Sequence, residues 1–378
     1  MNFKNLIARV SLFLLFLISA CSEKENNELL EPSSNNTLRA AEIALISSNT
    51  DGYRVAETGE IYGQYIFTSG LWLATVQDGA PASNIIWCGS YPLTNYKSIL
   101  NGSVSGLYKI TKNNLPADDY LKSLGIPTNN DGTIKLFGDE TIFSVQKENT
   151  SLLSLPIFST PLKNVSVSQL VWSYKRSDIK DVIFIRYGIK NNNTTMLNFN
   201  AGYYSDTDLE GAIINSVAYD SARGFSYTYS QSGLSIGFAF LKTPAMESGK
   251  PKILSHRIVR KNNYINPNFG EIGFTNSQQV IWALNGLDNF GNPMINPITN
   301  KVTKYAFTGN PVDSTGWLDT KVDVRNLLSI ESFSVAPSET KYFTLAILKS
   351  KSDSKKNAIL QILKQLDLIR EQTNLWDY

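Results

Sequence analysis

The sequence predicts a mainly β protein, a β-sandwich of one large or two packed sandwiches closed by a C-terminal amphipathic helix. Three observations carry that prediction. Short runs rich in Val, Ile, Phe and Tyr recur at intervals of about ten to fifteen residues between turn formers, the rhythm of strands and hairpins. Asp78-Gly79, Asn101-Gly102 and Asp131-Gly132 lie between such runs, where residues that tolerate positive φ close hairpins. Helical periodicity is nearly absent until the last segment.

The elements follow in chain order. Lys4 and Arg9 precede the uncharged stretch 10–18, and Leu17-Ile18-Ser19-Ala20-Cys21 ends it, which is the pattern of a lipoprotein signal peptide over 1–20 with Cys21 as the lipidated N-terminus. An uncleaved spanning anchor is the alternative, but the apolar run is shorter than the ~20 residues a bilayer core requires. Acyl chains on Cys21 hold a membrane through about 0.8 kcal/mol per buried CH₂, so the folded part sits in water. Residues 21–41, mostly Glu, Asn and Ser at first, have little to bury and are expected to form a disordered tether.

An N-terminal β region is expected over 42–165 and a β-sandwich with the closing helix over 166–378, with the soft boundary near 159–168. In the second region, 181–190 places Ile183, Ile185, Tyr187 and Ile189 on one face and Val182 and Phe184 on the other. That is a central strand between two layers. The segment 342–348 reads the same way, and Ile236, Phe238 and Phe240 form one side of another strand. Near the end, Asp353 or Ser354 can cap a helix in which Ile359, Leu360, Ile362, Leu363, Leu366 and Ile369 recur at helical steps. This stripe should pack on the β layers.

Composition narrows the function. The net charge is +2, and no Lys/Arg cluster is interleaved with aromatics, which argues against a nucleic-acid partner. Of the two cysteines, acylation consumes Cys21 and leaves Cys88, so no internal disulfide is expected; Cys88 reads as a small buried apolar residue. With a single histidine and one free cysteine in the chain, the zinc spacings are excluded. His256, next to Arg257 in a polar stretch, reads as a surface or strand-edge residue.

Gly233-Leu234-Ser235-Ile236-Gly237 matches the G-x-S-x-G pattern of serine hydrolases, with Glu247 and His256 following in order. It is rejected because a nucleophile elbow needs a strand, a strained turn and a helix, whereas these glycines flank a β-alternating run. Asp206, Asp208 and Glu210 stand at alternate positions before Gly211, and Asp220 lies on the next segment. Oxygen ligands at that density suit Ca²⁺, which makes Asp206, Asp208 and Asp220 the candidate ligands of a structural cation; a solvated acidic turn is the favoured reading of the segment. A carboxylate pair for glycoside hydrolysis is the remaining reading of such residues. Asp220-Ser221-Ala222 and Asp313-Ser314-Thr315 are similar to short O-glycosylation acceptors of exported Bacteroides proteins, with Ser221 and Ser314 as the acceptors.

Thr68-Ser69-Gly70-Leu71-Trp72-Leu73, Leu136-Phe137-Gly138-Asp139-Glu140-Thr141, 181–187 and 309–319 occur in that order, followed by 334–340 and the closing helix. Together they resemble a family of large exported all-β proteins of Bacteroidetes and Ignavibacteria, over most of 42–370. In that family the segment matching 204–211 carries further aspartates after its glycine, which this chain lacks, so the resemblance implies a weaker cation site here. Many members resemble type IX secretion cargo with a C-terminal sorting domain; this chain is expected to use its lipid anchor instead. The resemblance implies architecture and no particular activity.

The expected protein is therefore an outer-membrane lipoprotein, periplasmic or surface-exposed. Ser22-Glu23-Lys24-Glu25 resembles the acidic stretch of surface lipoproteins, interrupted by Lys24. Its expected role is non-catalytic binding or assembly with a glycan or envelope protein; a carboxylate-dependent glycan-active enzyme is the alternative.

Overall fold

A computed structural model describes residues 53–57, 60–85, 108–111, 119–147, 162–207, 209, 215–259, 276–319 and 325–377. The expected signal peptide, Cys21, the tether, Cys88 and the Asn101-Gly102 turn lie outside the described residues. The apolar alternation becomes two antiparallel sheets. In the first, β1 (Tyr53–Glu57), β2 (Glu60–Gln77), β8 (Leu197–Thr207), β17 (Arg325–Val335) and β14 (Ile253–Val259) lie in that order, and β3 (Ala80–Ile85) also pairs with β2. The second runs β4 (Tyr108–Thr111), β5 (Glu140–Lys147), β6 (Val165–Ser173), β7 (Val182–Asn191), β18 (Thr340–Lys351), β11 (Leu234–Lys242), β10 (Phe225–Tyr229) and β9 (Ser216–Asp220).

Period-2 alternation sorts the core. Ile183, Ile185, Tyr187 and Ile189 of β7, with Ile236, Phe238 and Phe240 of β11 and Leu345 and Ile347 of β18, pack against Phe199 and Tyr203 of β8 and Leu328 and Ile330 of β17. This is the core between the sheets. The alternate residues Val182, Phe184, Ala346 and Leu348 face outward onto Ile359, Ile362, Leu366 and Ile369 of the C-terminal helix. Both faces of β7 are therefore dry at its start, which is why 182–185 is apolar at every position, while Arg186 is half-buried and Lys190 exposed further along.

Three helices are described: α1 (Asp119–Ser123), α2 (Ser277–Leu284) and α3 (Lys355–Glu371). Val280, Ala283 and Leu284 of α2 cover Trp72, Tyr204 and Leu327 on the outer face of the first sheet, where the Trp72 and Tyr204 rings stack at 5.0 Å. Ser354 caps α3 by accepting the Asn357 N–H, and Asp353 accepts from the Asn357 side chain instead. The expected stripe needs one correction. Leu360 lies ~100° around the helix from Ile359 and is 47% exposed, while Leu363 is half-buried at the stripe's margin.

Asp78 (φ 53°) and Gly79 (φ 78°) close the β2–β3 hairpin between the paired Gln77 and Ala80, a turn whose positive φ at both positions suits the twist of the strands. Asp131-Gly132 closes a smaller loop across the Thr128–Ile134 bridge, with the Asp131 carboxylate accepting from the Thr133 N–H and hydroxyl. The expected boundary near 165 does not part the strands. β5 pairs with β6 and β2 pairs with β8 across it, so described strands from 42–165 and from 166–378 share both sheets. All described residues belong to one compact unit, 36–378.

Candidate functional site

The acidic segment is only partly described. Asp206 sits at the end of β8 paired with Arg325 and Thr68, while its side chain and the whole of Asp208 lie outside the described residues. Asp220 ends β9, and both its carboxylate oxygens are engaged: Oδ1 accepts the Arg223 N–H at 3.0 Å and Oδ2 accepts from Arg223 Nη1 at 2.9 Å. No cluster of three or more His, Cys, Asp or Glu placed to hold a metal ion is found among the described residues. Ser221 is exposed in the β9–β10 turn, and Ser314 is exposed at φ 59° in the turn that joins Asn310 to Thr315.

Ser235 is a buried strand residue of β11 whose hydroxyl donates to the Thr228 carbonyl at 2.9 Å, and no helix follows. The serine that meets the histidine is another one. His256, on β14, is fully buried: its Nδ1–H donates to the Ala306 carbonyl at 2.9 Å, and Nε2 accepts from the Ser226 hydroxyl of β10 at 2.9 Å. A carbonyl can only accept, which fixes the tautomer. Arg257, also buried, points the other way and donates Nη1–H to the Gly286 carbonyl after α2. The expectation of a surface residue is thus corrected. β14 is an edge strand, but Tyr305 and Ala306 cover its edge and the two sheets close over its inner face.

Ser226 to His256 is a serine–imidazole pair at nucleophile distance, yet both groups are sealed from solvent and the orienting partner is a carbonyl. It works as a seam between the sheets, reinforced by Asn326 of β17 donating to Thr228 of β10 at 3.0 Å. Burial disfavours the imidazolium more than the Ala306 carbonyl favours it, so the His256 pKa falls from 6.5 to about 4. Between those values the unfolded chain binds a proton that the folded chain refuses. This contribution to stability is complete above pH 6.5 and is lost as pH falls through about 4, a total of roughly 3 kcal/mol. Urea unfolding across that window should show stability falling with acid, and His256→Gln should flatten the slope; identical slopes in both proteins would contradict the assignment.

On the outer side of this seam lies an open cleft of about 500 Å³. Its aromatic wall is a stack: the Tyr219 ring of β9 lies 4.9 Å from His256 and 5.2 Å from Tyr305, nearly parallel to both. Tyr219 is buried and Tyr305 half-exposed, its hydroxyl donating to the Ile253 carbonyl at 2.9 Å. Burial and the neighbouring Glu331 charge raise the Tyr305 phenol, so it stays a neutral donor. Gly224 lets the β9–β10 turn press against Ile253, since a Cβ there would stand 2.9 Å from the Ile253 side chain at φ 54°.

Charged groups ring the wall. Arg223, Lys250, Lys252 and Arg370 line the cleft with Glu247 and Glu331. Arg223 forks between Asp367 of α3 and Asp220, which together push its pKa up. Arg370, also on α3, donates to the Phe240 carbonyl, and burial pulls its pKa down. Lys252 lies 3.8 Å from Glu247 on the small hairpin of β12 (Met246–Glu247) and β13 (Lys250–Pro251). An apolar ring face with donors and acceptors around its edge matches the two-sided chemistry of a sugar ring. Sequence reading missed this constellation, although Asp220-x-x-Arg223 at a turn was a local signal for the ion pair.

The fold and site define a class: an antiparallel two-sheet β-sandwich, each sheet covered outside by a helix, with a cationic tyrosine-walled cleft beside the edge of both sheets. No family model matches the chain, and no curated protein matches it in sequence. Among solved structures it is similar to the crystal structure of a copper-containing benzylamine oxidase from Hansenula Polymorpha, at 7% identity and a TM-score of 0.36, over 82% of this chain and 57% of that one. The chain spans a little over half the length of that structure, and the likeness carries no chemistry to this one.

Proposed function

We propose that this protein is a lipid-anchored module of the cell envelope, attached to the outer membrane through Cys21, and that it binds a glycan in the Tyr219–Tyr305 cleft without turning it over. The stacked tyrosine wall inside a ring of charged groups is the observation that carries this reading. Binding is favoured over catalysis because much of the rim is already committed to internal ion pairs, Arg223 to Asp220 and Asp367 and Lys252 to Glu247, which shapes a fixed surface. The glycan-active alternative rests on Glu247 and Glu331 lining one cleft.

Titration calorimetry with a panel of neutral and carboxylated oligosaccharides separates the two. Tyr305→Ala should weaken binding roughly tenfold, the upper part of what an aromatic contact contributes. Unchanged affinity in that variant would sink the binding site; new reducing ends released by the wild type and lost in Glu331→Gln would establish the enzyme instead.

A further inference from the structure

Exposed large aliphatic side chains gather on one small hairpin away from the sheet cores. β15 (Met294–Asn296) and β16 (Lys301–Thr303) form a two-stranded sheet of their own, with Ile295 directly opposite Val302. Met294 points inward and is buried among Val217, Ile258, Phe307 and Trp317. Alternation then turns Ile295 and Val302 to the opposite face, where they are 46% and 64% exposed, and Ile298 at the turn is 65% exposed. The turn is built rather than loose. Asn296 Oδ1 accepts the N–H groups of Ile298 and Thr299, and Asn300, at φ 53°, donates its N–H to the Asn296 carbonyl at 2.8 Å.

Charge on the hairpin has one sign. From 289 to 304 the chain carries Lys301 and Lys304, both exposed, and no Asp or Glu. We propose that this hairpin dips into the headgroup layer of an anionic membrane, Ile298 leading, with Ile295 and Val302 buried beside it and the two lysines at phosphate level. The proposal rests on the reading that Cys21 holds the fold against a membrane. Three aliphatic side chains cover far less than the ~800 Å² per partner of a stable protein interface. For a protein already tethered, however, a small apolar tip flanked by cations suffices to fix which way the fold faces the surface.

The test uses the full chain with Cys21→Ser, Cys88→Ser and Ile298→Cys, the last carrying an environment-sensitive fluorophore. Vesicles of phosphatidylcholine with phosphatidylglycerol should move its emission to shorter wavelength, and phosphatidylcholine alone should do so less. Val302→Asp should lower partitioning roughly tenfold and Lys301→Gln about fivefold. The same label at Leu360→Cys, exposed on α3, should not respond. Unchanged emission at 298, or an equal response at 360, overturns the proposal. So does a shift without vesicles that grows with protein concentration, which assigns the face to a second copy of the chain. Fatty-acid-analogue labelling of wild type against Cys21→Ala tests the anchor separately: failed labelling with a shift at 298 removes the anchor and leaves the hairpin's membrane contact standing.

Discussion

Ile362→Asp should unfold this protein at a markedly lower temperature, with a loss of about 4 kcal/mol or more. Ile362 is fully buried where α3 meets the outer face of the second sheet, among Ile359, Leu366 and Ile369. The substitution removes an aliphatic side chain, worth about 2–5 kcal/mol by truncation alone, and asks a carboxylate to ionise inside an apolar cluster. The helix can relieve the charge only by protonating it or by lifting off, and both cost stability. Leu360→Asp on the exposed side of the same helix is the control and should stay within about 0.5 kcal/mol of wild type. Equal melting temperatures for Ile362→Asp and wild type would mean that α3 is not docked on the sheet in solution.

The second large effect comes from a residue with no side chain. A Cβ on Gly237 would lie 2.0 Å from Cζ and 2.4 Å from Cε2 of the Phe225 ring, which is itself fully buried. Phe225 pairs with Ala239, one pleat along from Gly237, so the ring lies diagonally across the strands and fills the space the glycine leaves. Gly237→Ala should cost about 2–3 kcal/mol through overpacking, and Gly237→Val more. Adding Phe225→Leu to Gly237→Ala should recover part of the loss, because the two sites share one volume and their effects cannot add. Additive losses in urea unfolding would show that the ring and the glycine do not touch. The second glycine of the G-x-S-x-G pattern is thus explained by packing, as Ser235 is by its bond to Thr228.

Period and capping made much of the fold legible. β7 could be read as a central strand because its two apolar faces alternate within ten residues, and α3 because its stripe and cap are local. The interleaving of the two halves could not, since β2 finds β8 through a pairing that no local pattern encodes. The same reason hid the site. Ser255-His256-Arg257 looks like a solvated stretch, yet His256 is buried by Ser226 and Ala306, 30 and 50 positions away, and Arg257 by Gly286. Polar residues enter a core only when distant partners meet them, and those partners carry no periodicity. Tyr219 and Tyr305 likewise meet only after β9 and the 304–306 segment are laid beside β14.

Arg223 grips Asp220 with one hand and Asp367 with the other, so the turn that forms one wall of the cleft is tied to the helix that covers the outer face of the same sheet, and Arg370 on that helix lines the cleft as well. The C-terminal helix is therefore more than a lid on the core. Whatever occupies the cleft must shift the helix toward its docked position by the same free energy with which docking improves the cleft, because linkage is reciprocal. Occupancy at the surface would then be readable as slower amide exchange along 355–371, and anything that pulled or clipped that last segment would release the bound molecule.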